Sequence, residues 1–341
     1  MTTEWGELFP STGSGIIFVV YVLLFVNQGI LVTASQEANN KYDYNIVTVV
    51  LLTEALKLII SSILYCHKHR PLQLINELFE HWKVLLLYMV PAFLYCLYNN
   101  LSFINLSSFD PTTYYLLLQL RVVVTGILFQ VIFNKYLSRK QWLSLVILTA
   151  GCMLQQMNFS GSHDGKSQSL GLSINAVFIF IQIFCSCFAG VYNEYLLKRK
   201  GASVNIFVQN VFMYLDSIVC NILLLILNGS FENAFLYDNI EKVFHLKVLI
   251  VMFNNAAVGI VTSFFLKTLN SILKTFASAL ELVLTAIFSY IFFRIPVHLN
   301  TILAIATVMY AIYLYSQNPV SNVQKDVKNS DKVEILQMEE V

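Results

Sequence analysis

Ten apolar runs, each about long enough to cross a lipid bilayer and separated by short polar segments, leave this chain few folds to choose from. They lie at about 15–33, 44–66, 84–106, 112–133, 142–157, 172–196, 205–227, 246–267, 272–293 and 299–315. A hydrocarbon core takes roughly 20 helical residues, and backbone polar groups inside it must be satisfied within the spanning segment. The expected fold is therefore all-α: a polytopic membrane protein of about ten transmembrane helices. Composition agrees, since 57% of the 341 residues are hydrophobic and 12% are charged, outside the range of soluble domains. A formal net charge of +1 gives no reason to expect a nucleic-acid partner.

An even number of spans puts both termini on one side. Basic residues gather after the even-numbered runs: Lys68, Arg70 and Lys83, then Lys135, Arg139 and Lys140, then Lys198, Arg199 and Lys200. By the positive-inside rule both termini are expected in the cytosol. The N-terminal stretch MTTEWGELFPSTGS lacks the basic region of a cleaved signal, so the first run is expected to be retained. Segment 71–83, PLQLINELFEHWK, spaces its apolar residues at helical intervals. It reads as an amphipathic helix on the membrane surface or as a plain connecting helix.

Charges inside the apolar runs carry the functional signal. An ionised side chain at mid-bilayer costs about 3 kcal/mol even on lenient insertion scales, which makes each one a candidate site residue. Arg121 lies mid-run in the fourth span; Lys274 and Glu281 lie in the ninth. The two runs also match at a spacing of 160 residues: Tyr114 with Lys274, Arg121 with Glu281, and Thr125 with Thr285. Such an internal echo predicts two five-helix repeats, 1–157 and 172–316, with a lumenal linker at 158–171 and a disordered cytosolic tail at 317–341. Five spans per half force the second half into inverted orientation, the layout of an alternating-access carrier with its site at the midplane. Asn158 in the linker and Asn228 in a later loop begin glycosylation sequons.

Further candidates cluster nearby. Glu54 and Lys57, three residues apart in the second span, can form a structural ion pair or meet a substrate. Tyr95, Tyr98, Asn99 and Asn100 fall together in the third span, where paired amides can hydrogen-bond a base or sugar while tyrosines stack. Tyr114 and Arg121 are seven residues apart and share a helix face, and a guanidinium grips phosphate in bidentate fashion. The seventh span contributes Gln209, Asn210 and Asp216, the last read as a coupling carboxylate or a helix-packing acceptor. Small residues in the sixth and eighth spans, among them Ser186, Gly190 and Gly259, are expected to permit close helix packing. No Gly-rich phosphate loop, GxSxG, HExxH, Cys/His metal spacing or acid/base carboxylate pair is present, so the sequence predicts neither an enzyme nor a metal or other cofactor.

Together, two cations and clustered amides and tyrosines suit a ligand with phosphate at one end and a base or sugar at the other. At these residues the chain resembles the nucleotide-sugar transporters of the drug/metabolite transporter superfamily, in the group holding CMP-sialic acid and UDP-galactose carriers. The matching blocks are VVLLTEALKL, YNNLSF, DPTTYYLLLQLRVVVTGILF, LSRKQWLSL, GVYNEYLLK, VQNVF and NSILKTFAS. The resemblance implies ten helices and exchange of a nucleotide sugar, UDP-galactose foremost, for a nucleoside monophosphate. It also implies a Golgi membrane, with the endoplasmic reticulum as alternative. Its site residues would be Lys274, Arg121, Tyr114, Tyr98, Asn99, Asn100 and Asn210, with Glu281 added on the repeat argument. Arg121 stands where the family commonly has lysine, Phe212 replaces a motif glutamine, and Glu281 replaces a small or hydroxyl residue. The repeat also predicts an Arg121–Glu281 ion pair that ligand phosphate competes for. Expected partners are the nucleotide sugar, the monophosphate and membrane lipid, with a homodimer left open. Two alternatives stand: a carrier of UDP-N-acetylglucosamine or CMP-sialic acid, and a non-transporting interaction or chaperone subunit of the same fold.

Overall fold

A computed structural model describes residues 8–34, 44, 46–108, 111–156, 174–227, 229, 231–293 and 299–320. The linker 158–171, both sequon asparagines and the tail from 321 lie outside the described residues. Among those described there is no strand. The helices are α1 (Thr12–Ala34), α2 (Ile46–Cys66), α3 (Pro71–Glu80), α4 (Trp82–Ser108), α5 (Pro111–Leu118), α6 (Arg121–Phe133), α7 (Arg139–Gln156) and α8 (Ile174–Tyr195). They continue with α9 (Ile206–Leu227), two short helices α10 (Phe231–Ala234) and α11 (Tyr237–Val243), then α12 (Leu246–Thr268), α13 (Ser271–Phe293) and α14 (Leu299–Ser316).

Eight of these segments are long and apolar enough to cross a membrane, α5 and α6 counting as one. With α7 and the shorter apolar α14, the architecture agrees with the ten expected spans. Spans 1, 12, 2, 9, 4, 8, 6 and 13, named by helix number, pack in that order into a closed ring, while α7 and α14 pair outside it. Gly151 is where α7 meets α14: a Cβ there would lie 3.1 Å from Val308 Cγ2. Gly126 does the same for α6 against α7, with Leu145 Cδ1 at 2.9 Å. Close approach at small residues is the usual device for packing helices in lipid. Aromatic pairs tie α1 to α12 and α13 to α14: Tyr21 with Phe265 and Phe276 with Tyr315, whose centroids lie 4.5 and 4.4 Å apart. Large apolar side chains such as Val131, 69% exposed, face outward, as a surface solvated by acyl chains requires.

Two departures from regularity were not anticipated: a π-helical turn at Leu196–Lys200 after α8, and a break in the fourth run. The fourth run was expected as a single helix, but it breaks at Gln119–Leu120. There the ladder tightens: Gln119, Leu120 and Val122 donate to carbonyls three residues back, not four. Apolar composition is uniform across the break, so no hydropathy signal marks it. Its consequence is positional, because Arg121 becomes the first residue of α6 and sits at the partial positive end of that helix. Helix α6 then ends at Asn134, whose left-handed φ of 55° closes it.

Helix α3 begins with Pro71 at its first turn and Gln73 Oε1 accepting from Arg70 N–H at 3.0 Å. Leu74 and Leu78 pack against the cluster around Tyr65 and Tyr88, whereas Leu72, Ile75 and Phe79 remain exposed. Tyr65 Oη donates to Glu77 at 3.1 Å and pins the helix to the end of α2.

Candidate functional site

Two adjoining cavities among the helices share Lys274. The smaller, about 100 Å³, lies between α6, α7, α8 and α13. Its polar lining includes Gln119, Arg121, Thr125, Ser186, Lys274 and Ser278. The larger, about 270 Å³, is walled by α2, α4, α8, α9 and α12, with Glu54, Lys57, Tyr95, Asn99, Asn193 and Tyr214 among its residues. That volume approaches the lower end of the roughly 300–1,000 Å³ typical of small-molecule pockets.

Lys274 is set by how α13 starts. Asn270 Oδ1 accepts from Leu273 N–H at 2.7 Å, which caps the helix. Glu194, 1% exposed on α8, reaches across so that its Oε2 accepts from Ser271 N–H at 2.7 Å and Ser271 Oγ at 2.5 Å. Its other oxygen pairs with Lys198 Nζ at 2.7 Å, and Lys198 also donates to the Leu269 carbonyl. Neither Lys274 nor Arg121 forms an ion pair or side-chain hydrogen bond with another described residue, so the smaller cavity holds two cations without direct partners among the described residues, with Glu194 within electrostatic reach of Lys274. Unpaired charge in a low-dielectric interior is costly, and an anion is what relieves it.

In the larger cavity Glu54 and Lys57 form the ion pair anticipated from their spacing, at 2.5 Å. The ammonium also lies 4.8 Å from the centre of the Tyr214 ring, a cation–π distance. Gly259 makes room for this lysine, since a Cβ would come within 2.6 Å of Lys57 Cδ. Its smallness therefore serves the Lys57 side chain, where helix packing had been expected. Ser186 and Gly190 likewise line the smaller cavity.

The other candidates separate. Asn99 lines the larger cavity; Asn100 does not, because its amide donates to the Cys96 carbonyl one turn back at 2.8 Å. Tyr98 is within electrostatic reach of Arg121 but lines neither cavity. Tyr114 is buried, accepting from Gln182 Nε2 at 2.8 Å. Asn210 is buried with its Nδ2 unpartnered, outside both linings, and Asp216 is buried with Oδ2 unpartnered. Gln209 is spent on structure: it accepts from Tyr88 Oη and donates to the carbonyls of Gly201 and Val204. Glu281 lines neither cavity and lies within electrostatic reach of Arg121, yet the expected ion pair is not formed. Residues the sequence did not single out are Ser278, Thr275, Asn193, Ser217 and Asn221. For all but Asn193 the signal is spacing alone: 271, 274, 275 and 278 form one face of α13, and 214, 217 and 221 one face of α9.

Comparison with known proteins places this arrangement. The chain is 58% identical to the UDP-galactose transporter senju of Drosophila melanogaster, over 95% of this chain and 92% of the relative. It is 30% identical to CMP-sialic acid transporter 1 of Oryza sativa subsp. japonica, over 88% of this chain and 93% of that one. A solved crystal structure shares the fold at 14% identity, with a TM-score of 0.63 and coverage of 90% and 96% of the two chains. The nucleotide-sugar transporter family model matches residues 15–316, nearly all of the helices and both cavity cations, and the chain belongs to that family.

Proposed function

We propose that the protein imports a UDP-sugar, UDP-galactose foremost, into the Golgi lumen in exchange for UMP, by alternating access and with both termini in the cytosol. The observation that carries this reading is the shared wall of the two cavities. Arg121 and Lys274 offer fork and point charge to phosphate, while Lys274 also borders a roomier compartment of hydroxyls and amides suited to uridine and hexose. The name of the 58% identical relative supports UDP-galactose as cargo.

Alternation between two faces would rest on the halves 1–157 and 172–316. Helix packing supports that division. Exchanging each span with its counterpart maps the pair α1–α12 onto α8–α4, α12–α2 onto α4–α9, and α13–α1 onto α6–α8. The pairs α2–α9, α6–α13 and α7–α14 map onto themselves. This is the pattern expected of a pseudo-twofold axis in the membrane plane.

The test is uptake of labelled UDP-, GDP- and CMP-sugars into proteoliposomes preloaded with UMP, GMP or CMP. UMP-dependent entry of UDP-galactose is the expected result. Preference for another sugar would replace the cargo. No uptake of any sugar by folded, inserted protein would leave the non-transporting subunit.

A further inference from the structure

Helix α3 joins the ends of α2 and α4, and at 10 residues it is too short to cross a bilayer. It therefore lies where two spans end. At about 100° per residue its side chains fall on three arcs. Leu74 and Leu78 form the first and rest on the Tyr65–Tyr88 cluster, which also takes in Leu196, Val204 and Phe212 from the second half of the chain. Gln73, Glu77 and Glu80 form a polar arc, where Glu77 accepts from Tyr65. Leu72, Ile75 and Phe79 form the third, on the far side from the polar one, and all are exposed, Phe79 to 76%.

That third arc does not stop with the helix. Trp82 is 52% exposed at the start of α4, and Leu86, Val90 and Phe93 continue the exposed stripe along the span at three- and four-residue spacing. On α2, Ile59 and Ile63 are likewise exposed as that helix approaches its end. The outward faces of spans are solvated by acyl chains, and a stripe continuous with them meets the same solvent. Bases stand at both ends of the α3 stripe. Lys68 and Arg70 are exposed in the turn before it; Lys83 is exposed after it, with its ammonium 6.0 Å from the centre of the Trp82 ring. None of the three forms an ion pair with another described residue.

We propose that α3 and its flanking turns form a binding site for anionic phospholipid in the leaflet they border. Acyl chains lie along Leu72, Ile75, Phe79 and Trp82, while headgroup phosphates meet Lys68 and Arg70 at one end of the stripe and Lys83 at the other. Long basic side chains reach headgroup level from beside an embedded apolar face. A zwitterionic lipid satisfies the stripe but neutralises the bases only in part, so the site selects for net negative charge. Leu74 and Leu78 hold the helix from behind, so the stripe already points one way and little order is lost on binding.

The experiment uses the full chain and two readouts of binding. In bilayers of lipids brominated on the acyl chains about 5–10 Å below the headgroup, the emission due to Trp82, taken as wild type minus Trp82→Phe, is expected to fall roughly twofold. In detergent, native mass spectrometry compares retained phosphatidylserine with retained phosphatidylcholine, and added phosphatidylserine is expected to raise the thermal midpoint, as a ligand of the folded state must. The triple variant Lys68→Gln, Arg70→Gln, Lys83→Gln is expected to retain phosphatidylserine at least tenfold more weakly, each base near an anionic surface counting for about fivefold. Its phosphatidylcholine retention and lipid-free melting should match wild type. Phe79→Gln is expected to weaken both lipids. The inference is overturned if bromolipids leave Trp82 unquenched, if wild type retains the two lipids equally, or if the triple variant keeps its phosphatidylserine. It is also overturned if Phe79→Gln dissolves a dimer and leaves lipid retention intact, the outcome of a face covered by a second copy. Neither readout needs transport, so absence of uptake by the wild-type protein would sink the functional reading alone.

Discussion

Lys274 borders both cavities and Arg121 only the smaller, so the two cations are not equivalent despite their like charge. Lys274→Ala is expected to lower exchange at least 100-fold, because it strips the one side chain shared by the two cavities. Arg121→Lys keeps the charge but loses the planar fork, and a KM rise of roughly tenfold with protein stability unchanged is expected from steady-state uptake. Gly259→Ala tests the cleft that holds Lys57: the new methyl would displace that side chain from the Tyr214 ring. Weaker nucleotide-sugar binding with unaltered UMP binding, by calorimetry, is the predicted signature. At this scale the sequence was partly legible. Charges within apolar runs stand out, which is why Arg121, Lys274, Glu54 and Lys57 were found. Ser278 and Asn193 were not, because single hydroxyls and amides in lipid spans usually bond their own helix, as Thr53, Ser62 and Asn100 do here.

Among the elements, α13 shows how a helix end governs a site. Glu194 satisfies the first N–H of α13 and neutralises Lys198, whose side chain is 8% exposed. Glu194→Ala would leave that lysine buried without its partner, a loss of about 3 kcal/mol. A fall of several degrees in thermal midpoint, with Glu194→Gln intermediate, is the outcome to look for by melting in detergent. Helix positions were almost wholly readable from hydropathy, most ends falling within two or three residues of expectation. The break before Arg121 was not, since it is made by backbone hydrogen bonds shifting register within an unchanged apolar run. Nor was the chain of hydrogen bonds from Asn105 through Gln182 to Tyr114, which joins residues up to 77 positions apart. No local pattern reports such a contact.

For the molecule as a whole, the two cations without ion-pair partners among the described residues bear on what happens between cargoes. An alternating carrier must pass through an occluded state in which water is excluded, and Arg121 and Lys274 would then repel each other with nothing between them. Occupied by phosphate, the same state is neutralised. Uptake into liposomes with an empty interior is therefore expected to run at least tenfold slower than into UMP-loaded ones, and Arg121→Ala should shrink that ratio even as it slows exchange. Equal rates would show that the charges do not gate reorientation. The physiological corollary concerns supply. If the proposed exchange holds, a turnstile that will not rotate empty could neither drain nor overfill the compartment it serves, and each arriving sugar donor would be matched to one already consumed. On the proposed exchange, the pace of import would be set by the glycosyltransfer reactions that regenerate the returning nucleotide, and the two partnerless cations would be the means by which demand regulates delivery.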